Sequence, residues 1–452
     1  LQLEWQFYFY YQEVKENQAE NFMQKKTLKG KILLKGGEII DPQQDRIEKL
    51  DILINKGKIE KIEKSIEKKN NYEVVDLKGL KISPGFIDLH AHLREPGQED
   101  AETIETGAKA ALAGGFTRVC CMPNTTPSIS TQESVRFILD KARYLDVEVM
   151  PIASITMGRK GRELTEFSEL AKTGAVAFSD DGNPVEDSQM MRNALEYSKL
   201  VDMPIINHAE DKNLQNQGII NESEVSTTTG LPGNPAIAEE IMIYRDIKIA
   251  EFTRAKLHIP HVTARGSVEL IREAKARGVK VTAEVTPHHL SLTDQYMRSF
   301  DTLGKVAPPL RTEEDRQALI EGLKDGTIDA IATDHAPHTY NKKETSLDLA
   351  ACGMIGLESA FGLIMTKLVH EDELSLIELI KKITLNPAQI INLDTDYFKE
   401  GQKAEFTIFN ADEWWVFNKK SIFSRSSNTP FIGEELNGRV KKVIIGNKVI
   451  EM

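Results

Sequence analysis

The chain has 452 residues and a formal net charge of −12, with 69 acidic against 57 basic side chains. That balance argues against a nucleic-acid binder, which needs a basic face, and offers an acidic membrane no polybasic attraction; no apolar run reaches the roughly 18 residues of a spanning helix. Three cysteines, two of them adjacent (Cys120, Cys121, Cys352), make no disulfide framework, so a cytoplasmic setting is expected.

Residues 1–25 read as a tail, disordered or non-native. They are aromatic-rich at 1–11 and polar at 12–21, without the cationic, apolar and small-residue order of a secretory signal. Met23, just before the first strand pattern, is the expected natural start. Residues 26–82 carry short β-branched runs parted by Gly36-Gly37, Asp41-Pro42 and Lys56-Gly57, which predict strands and turns. Residues 398–452 repeat that pattern, and the two chain ends are expected to build one small β-sandwich. Between them, over 83–397, strand and helix alternate. Strands are predicted at 80–90, 118–122, 148–153, 175–179, 204–207, 256–259, 280–285 and 330–333. Helices are predicted at 105–113, 133–145, 188–200, 237–252, 267–276 and 315–323, several closed by glycine (Gly114-Gly115, Gly174, Gly278). This alternation predicts an α/β fold, a closed parallel (β/α)8 TIM barrel, whose chemistry sits at the C-terminal strand ends.

Seven of the ten histidines fall at those ends. The first strand finishes in His90 and His92, which share a side of an extended chain. The fourth finishes in Asp180-Asp181, the fifth in His208, the sixth in His258 and His261, and the eighth in Asp334, His335 and His338. Imidazole with carboxylate suits zinc or a similar divalent ion. More than four candidate ligands imply two ions, with a carboxylate between them and a shared hydroxide, the chemistry of amide hydrolysis or its reverse.

These residues bring a known family into view. The chain resembles the dihydroorotases of the amidohydrolase superfamily, in their bacterial class I branch. The likeness is carried by Pro84-Gly-Phe-Ile-Asp-Leu-His-Ala-His-Leu-Arg-Glu-Pro-Gly97, Met122-Pro-Asn-Thr125, Phe178-Ser-Asp-Asp-Gly182, His258-Ile-Pro-His-Val-Thr263, Ala332-Thr-Asp-His-Ala-Pro-His338 and Asn428-Thr-Pro-Phe431. The resemblance implies two Zn²⁺ ions and a bridging hydroxide. His90 and His92 would hold one zinc and His208 and His261 the other. Asp181 would bridge, selected over Asp180 by its spacing from His208, and Asp334 would contact the first zinc as general acid/base. Arg94, Asn124 and His338 would bind substrate, joined by His92 and by the backbone at Cys352-Gly353. The implied reaction is the reversible cyclisation of N-carbamoyl-L-aspartate to L-dihydroorotate, with aspartate transcarbamoylase and a second copy of the chain as candidate partners.

Two departures stand out. Ala307 precedes Pro308-Pro309-Leu310-Arg311 where the family usually has Asn, so that side-chain contact is not carried over. Cys352 replaces a Phe or Ala and brings an oxidisable thiol. The rival cyclic amidases, hydantoinase and allantoinase, act on substrates without an exocyclic carboxylate. Hydantoinases bridge with a strand-four lysine, absent from Val176-Ala-Phe-Ser179. A non-catalytic partner of the transcarbamoylase would be expected to lose ligands, and all six are present. His258, His335, Asp180 and the pair His288-His289 at the end of strand seven are read as hydrogen-bonded neighbours. His370 is read as surface, Trp414-Trp415 as packing, and Cys120-Cys121 as buried apolar filling. Residues 337–354 form a polar segment able to close over substrate.

Overall fold

The structure, a computed structural model, describes residues 23–452; the expectations for residues 1–22 lie outside them. Eight parallel strands form one sheet: β1 (Phe86–Ala91), β2 (Phe116–Cys121), β3 (Glu148–Ala153), β4 (Ala177–Ser179), β5 (Ile205–Ile206), β6 (Leu257–Ile259), β7 (Val281–Val285) and β8 (Ala330–Ile331). They neighbour one another in chain order. The ring closes where Ala91 bridges His335 in parallel and the His92 N–H donates to the His335 carbonyl at 2.8 Å. The Asp88 carboxylate reinforces that seam by accepting from the Thr333 N–H (2.8 Å) and Oγ1 (2.6 Å). Burial pushes Asp88 up to about 6.

Strands in such a barrel are covered on both faces, so their sequences are largely apolar. Ile87, Leu89, Cys120, Met150, Ile152, Ala177, Ile206 and Ala330 pack together as one inner cluster. Alternate residues such as Val119, Val149, Phe178, Ile205, Leu257 and Val281 pack on the surrounding helices. β1 pairs Val119 with Asp88 but Cys121 with Ala91. That extra residue in β1 is a bulge, which changes the side-chain phase just before the histidines.

The chain ends form two facing sheets. The larger runs Gln24–Thr27, Lys448–Glu451, Glu435–Ile445, Glu405–Val416, Lys81–Pro84, Glu38–Asp41, Arg46–Lys49. The smaller runs Lys58–Glu63, Asp51–Asn55, Lys31–Lys35, Tyr72–Asp76. Ile32, Leu34, Ile52, Ile82, Phe406 and Ile444 fill the space between them, each contributing about 1.5–3 kcal/mol relative to exposure. The strand expected over 80–90 is in fact two strands in different sheets, parted at Gly85. A Cβ there would lie 2.1 Å from Thr117 Oγ1, so only glycine lets the chain pass from sandwich to barrel. Order also begins earlier than residue 26, because Gln24–Thr27 pairs antiparallel with Lys448–Glu451. The helix expected to reach 145 stops at Ala142.

Candidate metal centre

The β1 end brings two buried imidazoles into the barrel mouth. His90 Nδ1 donates to Glu284 Oε1 on β7 at 2.9 Å, which turns Nε2 towards Asp181 Oδ1 and Asp334 Oδ1, both at 3.6 Å. That buried Nε2 has no hydrogen-bond partner. His92 Nδ1 meets Asn124 Oδ1 at 2.8 Å, and its Nε2 faces Asp334 Oδ1 at 2.9 Å. His208, just past β5, donates Nε2–H to Glu210 Oε2 at 3.0 Å and points Nδ1 at His261 Nε2, also 3.0 Å away. Two facing imidazole nitrogens at that distance need a proton or a cation between them.

Asp181 stands at the centre. Its Oδ1 lies 3.6 Å from His90, 3.6 Å from His208 and 3.5 Å from His261, and its Oδ2 lies 3.6 Å from His92. Oδ1 is buried without a hydrogen-bond donor. His90, His92 and Asp181 form one group of potential ligands; Asp181, His208 and His261 form a second that shares the carboxylate. Spacings near 3.5 Å between donor atoms suit ligands arranged around an ion at about 2.0–2.2 Å from each. The electrostatics point the same way. Burial disfavours charge on His208, but Asp181 and Glu210 outweigh it and hold this ring up at about 10. His90 is likewise raised, against burial, by Asp181 and Asp334. The cluster therefore attracts positive charge, and the residues present fit a bound divalent metal.

Asp334 follows β8 with φ +46°, and His261 and Arg94 are also left-handed at +34° and +60°. Such backbone costs about 1–3 kcal/mol per non-glycine residue and recurs at functional sites. Burial raises the Asp334 carboxyl, but His90 and His92 overcome this and keep it ionised.

A cavity of about 300 Å³ opens onto this cluster, lined by His92, Arg94, Asn124, His338, Ala307, Cys352 and Gly353 among others. Every expected substrate contact lines it. Arg94 Nε donates to the Pro337 carbonyl at 3.1 Å, and its Nη2 lies 3.4 Å from His338 Nε2. Burial lowers Arg94 only to about 10, so it stays cationic, whereas burial and Arg94 together push His338 down to about 3. Neutral His338 gives its Nε2–H to the Cys352 carbonyl at 2.8 Å. The Ala307 methyl adds no polar atom.

His258, His335, Asp180 and His289 are hydrogen-bonded as expected, whereas the buried His288 Nε2 has no hydrogen-bond partner. His258 donates Nε2–H to Glu284 (3.1 Å), His335 bonds Glu102 (3.2 Å), and Asp180 accepts from the Thr156 backbone (3.0 Å). His288 and His289 lie in a short helix, Pro287–Ser291, rather than at a strand end. Thr286 caps it and Pro287 occupies its first turn. Cys120 and Cys121 are buried, Cys352 is exposed, and His370 packs edge-on against Trp414 at 4.8 Å. Three orienting residues were missed. Glu284 and Glu210 fix ring tautomers, as partners of metal-binding histidines do, and Lys343 ties down the 337–354 segment. A lone carboxylate inside the apolar strand Val-Thr-Ala-Glu-Val was the legible sign of Glu284.

A sequence profile of the family described as Dihydro-orotase-like matches residues 79–267. The dihydroorotase of Syntrophus aciditrophicus is 46% identical over 422 residues, 93% of this chain and 99% of that one. The dihydroorotase of Pelotomaculum thermopropionicum is 47% identical over 420 residues, 93% of this chain and 98% of that one. The chain belongs to the dihydroorotase family. Membership makes it a metal-dependent cyclic amide hydrolase. Among solved structures, the L-hydantoinase (dihydropyrimidinase) from Arthrobacter aurescens superposes with TM-score 0.81 at 23% identity, covering 93% of this chain and 96% of that one. The dihydropyrimidinase from Brevibacillus agri gives 0.79 at 20%, covering 91% and 93%. At those identities the likeness is one of fold. Among the described residues of this dihydroorotase-family chain, no helix is long and apolar enough to cross a membrane.

Proposed function

We propose that the chain interconverts N-carbamoyl-L-aspartate and L-dihydroorotate in pyrimidine biosynthesis, using two zinc ions. The observation that carries this reading is Asp181, set between two pairs of imidazole nitrogens at the floor of a cavity that also holds Arg94. His90 and His92 would hold one zinc and His208 and His261 the other, with Asp181 available to both and Asp334 beside the first pair. Bound there, the metal pair supplies a hydroxide nucleophile at neutral pH and polarises the amide carbonyl.

The rest is done by the chain's own side chains. Asp334, ionised and 2.9 Å from His92 Nε2, takes a proton during ring opening and returns it to the leaving ring nitrogen. Ring closure runs the same transfers backwards. Arg94, cationic and braced by the Pro337 carbonyl, forks onto the exocyclic carboxylate. Asn124 and His338 complete that pocket, and the Cys352-Gly353 backbone lines its far side. Holding the carboxylate would set the ring amide beside Asp181 and Asp334, which replaces a collision with a fixed approach.

A hydantoinase reading is weaker, since Val176-Ala-Phe-Ser179 offers no bridging lysine and Arg94 would face no carboxylate. Aspartate transcarbamoylase, which produces carbamoyl aspartate, and a homodimer are the partners this reading carries, in the cytoplasm; co-elution and solution mass test both. The deciding experiment assays the purified protein on dihydroorotate, hydantoin and allantoin alongside metal analysis. Turnover of dihydroorotate with about two zinc ions per chain is expected; preferential turnover of hydantoin overturns the proposal.

A further inference from the structure

The motif Asn428-Thr-Pro-Phe431 stands outside the ligand cluster. It lies far along the chain from the barrel strands, in the connection between Glu405–Val416 and Glu435–Ile445. The segment before it is stitched to the helix Leu357–Ile364 and to the loop after β1. Ser424 N–H donates to Glu358 Oε1 (2.8 Å), Arg425 N–H to Glu102 Oε1 (3.1 Å), and Ser426 Oγ to the Ala101 carbonyl (2.7 Å). These bonds bring Asn428 to the barrel mouth, where its side chain is 5% exposed.

There it makes three hydrogen bonds, all to backbone. Nδ2 donates to the Ala336 carbonyl and to the Gly353 carbonyl, both at 3.1 Å, and Oδ1 accepts from the His338 N–H at 3.0 Å. Its own carbonyl accepts from the Ile355 N–H at 3.0 Å. Ala336 to His338 and Gly353 belong to opposite ends of the 337–354 segment, and both line the cavity. Few side chains other than an amide supply two donors and an acceptor in so small a span. Lys343 Nζ adds a second tie to Gly353 O, at 3.0 Å.

We propose that Asn428 is the positioning residue of the substrate pocket: it clamps the His338 backbone to the Gly353 backbone and so fixes the opening into which the substrate's carboxylate fits. Asn428 touches no reacting atom and stands outside the ligand cluster, so its effect falls on substrate binding. The inference deepens the dihydroorotase reading and rests on it for its kinetic part alone.

The test compares Asn428→Asp, which keeps the acceptor for His338 N–H but replaces both donations, with Asn428→Ser, which buries no charge and loses the bridge. KM for dihydroorotate is expected to rise about tenfold in each, with kcat within about threefold and zinc content unchanged, because the binding lost is common to the ground state and the transition state. Hydrogen exchange supplies a readout independent of turnover. The amides of Ala336, His338 and 353–355 should exchange about tenfold faster in the variants, while those of β1 to β4 keep their rates. Wild-type protein inert towards dihydroorotate would count against the function, and the exchange result would still decide the clamp. Unchanged KM with unchanged exchange overturns the proposal. So does a joint fall of kcat, zinc content and thermal midpoint, or failure of both variants to fold, since Asn428 would then serve the fold at large.

Discussion

Two sides of one cavity are held by opposite means. On the metal side, side chains orient side chains: Glu284 takes ring protons from His90 and His258, Glu210 takes one from His208, and Asn124 meets His92. On the substrate side, side chains orient backbone. Lys343 Nζ donates to the carbonyls of Ala351 (2.9 Å) and Gly353 (3.0 Å), Lys305 Nζ to those of Leu347 (2.8 Å) and Asp348 (3.1 Å), and Asn428 to Ala336 and Gly353. The first arrangement fixes ring tautomers and ligand directions. The second shapes an opening from a segment with little regular structure of its own. Substitutions on the metal side should therefore change metal content or kcat, and those on the substrate side KM.

The largest expected effect is that of Asp334→Asn. It keeps size and one acceptor but cannot carry the proton, so kcat should fall by about 10²–10⁴-fold with metal content unchanged. A near-normal rate would remove Asp334 from the chemistry. Next comes Glu284→Gln, which leaves His90 and His258 without their anion. Metal affinity, read by chelator competition, should weaken by about 10–100-fold. Glu284 also sets a pH dependence in metal-stripped protein. Burial opposes its ionisation, but the bonds from His258 and His90 prevail and hold it at about 2, below the ordinary 4.5. Its stabilisation is therefore complete above pH 4.5 and lost as pH falls towards 2. Urea unfolding of the variant should show a shallower loss across that window than wild type.

The same contrast explains what the sequence discloses. The barrel is legible because each β/α unit is local, an apolar run followed by a capped amphipathic helix, and those runs lie where the strands form. The metal side is legible because its histidines and aspartates sit at strand ends, so finding the strand finds the residue. Glu284 was passed over because one carboxylate in a five-residue strand has no periodic signature until its partners on β1 and β6 are in view. Lys305, Lys343 and Asn428 are less visible still. Each acts on main-chain atoms that carry no sequence identity, and Asn428 does so across 75 residues to Gly353. Gly85 shows the same limit: a continuous apolar run conceals the change of sheet that Thr117 enforces.

Lys343→Met tests the substrate side with a smaller effect. It removes the donations to the Ala351, Gly353 and Lys305 carbonyls while keeping much of the apolar stem, and KM should rise about fivefold with kcat and zinc unaltered. Burial lowers the Lys343 ammonium to about 8. As pH rises through that value wild type loses one of three donors, and its KM should climb; the variant's KM should already be high and flat.

The smallest effect sharpens the contrast most. Cys352 stands beside the pocket with an exposed side chain, yet the contact it makes there is through its carbonyl, which takes the His338 Nε2–H at 2.8 Å. Cys352→Ser leaves that carbonyl, its hydrogen bond and the neighbouring Gly353 backbone where they are, so KM and kcat should stay within about twofold of wild type. An equal result for Cys352→Ala would extend the point from a polar to an apolar replacement. A tenfold rise in KM in either variant would mean that the thiol itself meets the substrate, and the pocket would then be shaped by side-chain chemistry on both of its walls.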